Sequence, residues 1–452
     1  MKIAVVGSGW AGMSAAVHAT RRGHAVTVFE ASRQLGGRAR ALVLERPDGA
    51  PLTLDNGQHI LIGAYGETLA LMESVGVVLA DALLALPLGL PYPDGLGLQT
   101  PGWAAAWPAP LDALAAIATA RGWTWGDRAS LLRQALAWRL QGFRCGSSDT
   151  AAQVCPLLTP RATQELIEPL CVSALNLPPA QADGQVFLNV MRDALFGRGY
   201  RGRPPAQLLL PQQDLTSLLP QQAARWLTSQ GSQVITSARV TSLRPDRHGW
   251  RLAVARQDWH DEESFDSVIW ATAASPAAQA MTDVAHQVQG SLATQLVTWS
   301  RTAGVIPHTA IATTYVWSPG ARLAAPMLAL RPGPAGPDLS AQFVFDRHQL
   351  HPANPAMEGV LAFVTSASPA DREALEQGVL AQAARQLGLQ QLQPIRTVIE
   401  RRATFACIPG LRRPPATIAP GLLAAGDYIA GPYPATLEGA VRSGQQAALS
   451  LP

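Results

Sequence analysis

Three glycines, Gly7, Gly9 and Gly12, follow an apolar run and open a stretch of helix-forming residues. That spacing suits a pyrophosphate: the first glycine permits a tight turn, the second a close backbone approach and the third helix-on-sheet packing. A helix beginning there aims unpaired N–H groups and its positive dipole end at the phosphates. Glu30 closes the next apolar run, placed to accept hydrogen bonds from a ribose hydroxyl, and its charge disfavours the 2′-phosphate of NADP. A second polar group, Asp55-Asn56-Gly57-Gln58-His59, interrupts a strand pattern between Leu52 and Ile62. Asp55 and His59 stand four residues apart, on one face of such a strand, and both titrate.

These residues need a frame. Lys2 to Val6 reads as a buried strand, Gly12 to Arg22 as a helix and Ala25 to Glu30 as a second strand, together one βαβ crossover. Residues from about Gly66 to Ala206 read as a mostly helical lobe, with turns at Pro101-Gly102 and Pro178-Pro179. Gln207 to Asp266 returns to strands around a helix at Leu215 to Gln230, and Ser267 to Thr272 runs as a strand into small residues. Strands are then expected at Leu296 to Trp299, Ala310 to Trp317 and Gln342 to Phe345, a helix at Ala370 to Leu387, a strand at Gly421 to Ala425 and a closing helix at Glu438 to Leu449. The fold class is α/β: a discontinuous Rossmann-like dinucleotide-binding domain (1–65, 207–275 and 415–452), a helical lobe (66–206) and a mixed-sheet domain (276–414).

Composition narrows the function classes. Nearly half of the 452 residues are apolar and 15% are charged, a globular balance. The formal net charge of +3 comes without a basic run that would neutralise a row of phosphates, so no nucleic-acid partner is expected. Cys145, Cys155, Cys171 and Cys407 lack CxxC spacing and read as free thiols; no metal is expected. The chain starts on a strand at Lys2 rather than a secretory leader, pointing to the cytoplasm. No run of ~18 apolar residues exists to span a membrane, since Pro87, Pro91 and Pro93 break the leucine-rich stretch from Leu79 to Leu98.

Gly36-Gly37-Arg38, shortly after Glu30, resembles the extension found in the flavin amine oxidase and carotenoid desaturase superfamily. Gly426-Asp427 followed by Glu438-Gly439-Ala440 and Ser443-Gly444 resembles that superfamily's closing motif. The resemblance implies FAD, with Arg38 along the pyrophosphate, Asp427 on the ribityl chain and the last helix directed at the isoalloxazine. The cofactor set expected from these motifs is Gly7, Gly9, Trp10, Ala11, Gly12, Glu30, Ala31, Gly37, Arg38, Gly57, Gln58, His59, Val240, Gly426, Asp427, Thr436 and Leu437. A narrower resemblance runs through Leu54 to Tyr65, Ala174 to Pro179, Phe187 to Asp193 and Leu208 to Pro211, which are similar to the squalene-associated FAD-dependent desaturases, now regarded as hydroxysqualene dehydroxylases.

That family implies reductive removal of an allylic hydroxyl from hydroxysqualene to give squalene, with electrons from an unidentified donor. Such chemistry needs a proton for the departing oxygen, a hydride from reduced flavin and a dry pocket. Asp55 and His59 are the preferred proton donors; backbone hydrogen bonding remains the structural alternative for each. Tyr433, before the closing helix, is the third catalytic candidate, offering its π face to positive charge. The alternatives are a polyene desaturase running the opposite way, a flavin amine oxidase and a non-catalytic isoprenoid carrier. Lys2, the only lysine, sits at the wrong end of its strand to hold a water beside the flavin as many amine oxidases do. Trp103, Trp107, Trp123, Trp125 and Trp138, with Arg128, Arg133 and Arg139 among leucines, read either as core or as a surface docked on the inner face of the cell membrane.

Overall fold

Ile3-Ala4-Val5-Val6 is apolar at every position, as a strand covered on both faces requires, and all four side chains are buried in the strand Lys2–Val6. The computed structural model describes residues 1–255, 263–333, 336–368 and 371–452. Lys2–Val6 pairs in parallel with Ala25–Phe29 on one side and Ser267–Trp270 on the other. Gln233–Ile235 extends the sheet beyond Ala25–Phe29, Leu422–Ala424 extends it beyond Ser267–Trp270, and antiparallel Thr417–Ala419 forms the far edge. One six-stranded sheet therefore draws on three separated stretches of sequence.

The helix after the first strand, Trp10–Arg21, packs against the last helix, Leu437–Leu449. Gly444 lets them approach: a Cβ there would lie 2.1 Å from the Ala11 carbonyl oxygen. Ser14 Oγ donates to the Val441 carbonyl at 2.7 Å and fixes the register of the two helices.

The second sheet has the order Met327–Ala329, Phe343–Asp346, Val360–Ser366, His308–Trp317, Gln393–Phe405, with every pairing antiparallel. Helix Arg372–Leu387 packs on the edge strand Gln393–Phe405 and its neighbour His308–Trp317. Ala370, expected to begin that helix, lies outside the described residues, as do 256–262 of the expected return to the first domain.

Three expectations are corrected. Leu296 to Trp299 is not a strand but part of helix Gly290–Gly304, whose buried Leu296, Trp299 and Ala303 recur at helical spacing. The Leu52 to Ile62 pattern is not one strand: Pro51–Asp55 pairs with Ala41–Glu45, the chain turns, and Leu61–Ile62 pairs with Leu208 and Leu209 instead. Asp55 and His59 accordingly share no strand face. The lobe between 66 and 206 also holds strands, Leu83–Leu86 and the hairpin Gly89–Pro91 with Gly97–Gln99, beside its helices. Prolines and glycines in that leucine-rich stretch break a helical period and permit short strands.

Candidate active site

Val6, Phe29 and Trp270, the last residues of three neighbouring parallel strands, open onto one cavity of about 940 Å³. Ligands bind at the carboxyl ends of such strands. Gly7 has φ +107°, and a Cβ on it would lie 2.8 Å from the Ala271 carbonyl oxygen, so the turn demands glycine. A Cβ on Gly9 would meet nothing within 4 Å, so that side of the turn is open space, and Gly9 lines the cavity with Trp10 and Ala11. Gly12 does not reach the wall. A Cβ there would sit 1.9 Å from the Gly7 carbonyl oxygen, so Gly12 shapes the turn from behind. No side chain caps helix Trp10–Arg21 and no acidic residue occupies its first turn, leaving its N-terminal N–H groups for an anion.

Glu30 and Ala31 line the same cavity. The Glu30 carboxylate accepts from Ser8 N at 2.9 Å, Ser8 Oγ at 2.7 Å and Ser32 N at 2.8 Å, which fixes its direction and leaves acceptor capacity for a ribose hydroxyl. Val240, on the strand Arg239–Asp246, forms another part of the wall.

Arg38 and Asp427, 389 positions apart, meet directly: Arg38 Nη2 lies 2.5 Å from Asp427 Oδ1. Arg38 Nη1 donates to the Ala403 carbonyl at 2.7 Å. The Asp427 carboxylate beside it holds the Arg38 guanidinium firmly protonated, above its ordinary range. The two ends of the chain thus close on one another across the cavity, which Gly37, Gly426 and Leu437 also line. Thr436 lines it too, but its hydroxyl is the N-cap of the last helix, accepting from Gly439 N at 2.9 Å and donating to the Tyr433 carbonyl at 2.9 Å.

The segment after Asp55 divides in two. Gly57, Gln58 and His59 face the cavity. His59 Nδ1 donates to the Gly57 carbonyl at 2.8 Å, leaving Nε2 as the basic nitrogen, and burial lowers the ring's pKa so that it rests neutral. Asp55 is not part of the wall. Only 2% exposed, its carboxylate accepts from Leu215 N at 2.8 Å and faces Arg347, itself 1% exposed, at 3.5 Å. Burial pushes Asp55 up to about 6 in spite of that cation. Arg347 also donates to Gln58 Oε1 and lies 2.8 Å from His351 Nε2. Asp55, one of the two preferred proton donors, therefore connects to the cavity wall through Arg347 and Gln58 rather than with its own carboxylate.

Tyr433 lines the cavity, with its hydroxyl donating to Asp193 Oδ2 at 2.7 Å and the Arg442 guanidinium 4.7 Å above its ring. Burial pushes its phenol up to about 12. One ring face is thus already taken by a cation. Sequence reasoning missed Asn56, Asp193, Arg347 and Glu400. Asn56 Nδ2 donates to the Arg38 carbonyl at 3.2 Å and to Glu400 Oε2 at 3.3 Å, a contact between segments that no local pattern announces. Asp193 did carry a signal, as the end of the Phe187 to Asp193 motif.

Away from the polar end the walls are apolar: Leu170, Ala174, Phe187 and Val190 from the helical lobe, Met327, Phe343 and Phe345 from the antiparallel sheet. Lys2 stands at the opposite end of its strand, roughly 13 Å of extended chain from Val6, where its Nζ pairs with Glu263. Among the described residues no cluster of His, Cys, Asp and Glu forms a metal site, and the cysteines are free.

Comparison with known proteins agrees with this geometry. The family described as flavin containing amine oxidoreductase matches residues 10–450. A hydroxysqualene dehydroxylase of Rhodopseudomonas palustris is 28% identical, covering 98% of this chain and 96% of that one. Another, from Sinorhizobium fredii, is 24% identical over the same shares. Among solved structures, an oxidoreductase from Methanosarcina mazei superposes with a TM-score of 0.72 at 14% identity, covering 100% of both chains. The open glycine turn, the uncapped helix and the Arg38–Asp427 clasp fit FAD, and the chain belongs to the flavin containing amine oxidoreductase family as an FAD-dependent oxidoreductase.

Proposed function

We propose that this oxidoreductase removes the allylic hydroxyl of hydroxysqualene and replaces it with hydrogen, giving squalene. The observation that carries the reading is similarity over nearly the whole chain to proteins of that activity. The apolar arm of the cavity supports it, because a triterpene is held by hydrocarbon surface and a developing allyl cation survives only where water is excluded.

FAD, when bound and reduced, supplies the hydride. The chain's own part is to hold, exclude and protonate. His59 is the proton donor to the departing oxygen: it is the titratable ring of the polar segment that faces the cavity, and its Nδ1 bond to Gly57 sets Nε2 as the nitrogen that takes up and delivers the proton. Asp55 and Arg347 hold Gln58 and with it the segment's course along the cofactor. Anaerobic mixing of the reduced holoprotein with hydroxysqualene is expected to return flavin absorbance to the oxidised form with squalene as product. Persistence of reduced flavin, or reoxidation without squalene, refutes the reading.

The substrate is drawn from a bilayer. Helix Trp125–Leu140 turns Trp125, Leu132, Leu136 and Leu140 outward along one stripe, with Arg133 and Arg139 exposed beside it and its first-turn carboxylate, Asp127, buried as a cap. Trp125 is 78% and Leu140 79% exposed, whereas Trp138 on the opposite face is buried. An outward apolar stripe flanked by arginine suits an anionic membrane surface. No helix among the described residues is long and apolar enough to cross a membrane, so contact is peripheral.

A further inference from the structure

Three of the charged groups on the cavity wall belong to the dinucleotide motifs: Glu30, Arg38 and Asp427 come from the end of the second strand, the extension after it and the closing motif. Asp193 belongs to none of these. It comes from helix Gly184–Phe196 of the helical lobe, and every other residue that helix gives to the cavity is uncharged and apolar, among them Val186, Phe187, Val190 and Leu195. On the face that this helix turns to the cavity, one carboxylate stands among hydrocarbon side chains.

Its surroundings fix it there. Asp193 Oδ1 is held by its exposed neighbour Arg192 at 2.8 Å, and Oδ2 accepts from Tyr433 at 2.7 Å. Tyr433 in turn is pinned by Arg442 above its ring, and Glu438 holds Arg442 at 2.7 Å. A carboxylate has about four acceptor positions, so the two oxygens retain capacity after these bonds. Asp193 is partly open, with 18% of its side chain exposed. A phenol and a carboxylate bonded to each other, fixed from both sides, present acceptor positions to whatever fills the apolar arm.

We infer that the Asp193–Tyr433 pair is the recognition site for the single hydroxyl of an isoprenoid alcohol, with the alcohol O–H donating to the Asp193 carboxylate beside Tyr433. The inference rests on the proposed substrate class and extends it to residues. A binding site built this way prefers an alcohol over the hydrocarbon that lacks it, because filling the arm with hydrocarbon alone leaves the carboxylate facing an apolar group. The pair would then release product: squalene, lacking the hydroxyl, loses the anchor.

The test uses the oxidised FAD holoprotein, which binds without turnover. Titrating it with hydroxysqualene and with squalene, and reading the flavin difference spectrum, gives two dissociation constants whose ratio isolates the hydroxyl. In the wild-type protein hydroxysqualene is expected to bind at least tenfold more tightly, roughly the scale of one hydrogen bond to a charged group. Asp193→Asn and Tyr433→Phe are expected to bring the ratio to within threefold while squalene affinity and FAD content stay at wild-type levels, which also shows that the variants fold. A wild-type ratio near one, or a ratio unchanged in both variants, overturns the inference. Because no turnover is read, the outcome stands apart from the anaerobic experiment: a protein that prefers the alcohol but does not form squalene keeps this site and loses the dehydroxylase reading.

Discussion

Burial shifts three titratable groups around the polar segment, and the direction depends on which form is charged. His59 and His351 are pushed down, His351 to about 3, while Asp55 is pushed up to about 6. For His351 the linkage has a definite sign. Below its ordinary value of 6.5 the unfolded chain binds a proton that the folded chain refuses, so this contribution to stability is present above pH 6.5 and falls away on acidification towards 3. At pH 5.5 the loss is about 1 kcal/mol. His351→Gln keeps an acceptor for Arg347 without the titration, so thermal denaturation from pH 7.5 to 5.5 is expected to lower the wild-type midpoint more than the variant's. Asp55 works the other way between pH 3.8 and about 6, but it is common to both proteins and leaves the comparison intact. His59 predicts a kinetic counterpart. A donor that rests neutral must first take up a proton, so single-turnover flavin reoxidation is expected to accelerate as pH falls through 7 to 6, and His59→Ala to flatten that profile. Equal pH dependence in both would remove His59 from the proton path.

At the scale of elements, the outward stripe of helix Trp125–Leu140 makes its own forecast. Leu136→Glu with Leu140→Glu places two carboxylates on the face proposed to meet anionic lipid, at positions already solvent-exposed, so folding is expected to be undisturbed. Flotation with vesicles containing phosphatidylglycerol should carry the wild-type protein upward and leave the double variant behind; equal flotation would place the membrane contact elsewhere. The elements also show what a sequence makes legible. Lys2–Val6, Trp10–Arg21 and Ala25–Phe29 were readable because glycine spacing, apolar runs and an acidic terminus agree locally. The closing motif was readable for the same reason. Leu296 to Trp299 was misread because valine and threonine suggest a strand in a segment whose buried residues follow a helical period. Asp55 was misplaced because its partner away from the cavity is Arg347, 292 residues on, and an ion pair between distant elements leaves no local trace.

The molecule as a whole is joined around its cofactor site. FAD would touch the first forty residues, the segment at 57–59, Val240 and the stretch from 426 to 437, so its binding energy is shared across separated parts of the sequence. Ligand that binds only the folded chain stabilises it by about 2.7 kcal/mol at a hundredfold excess over its dissociation constant. Stripping FAD is therefore expected to lower the melting midpoint, and adding it back to restore it. Arg38→Met should weaken both effects, because it leaves the nearly buried Asp427 carboxylate without its cation; unchanged FAD affinity in that variant would deny the clasp its role. The clasp also has a consequence for how the protein is made. The glycine turn is synthesised first, and Asp427 follows more than four hundred residues after Gly12. At roughly 5–20 residues per second the ribosome needs at least some twenty seconds to cover that distance. Until then the nascent chain carries half a flavin site, and the last helix that packs on Trp10–Arg21 does not yet exist. The yellow colour of the holoprotein is in this sense a receipt for completed translation: chains released before Gly426 are expected to emerge colourless.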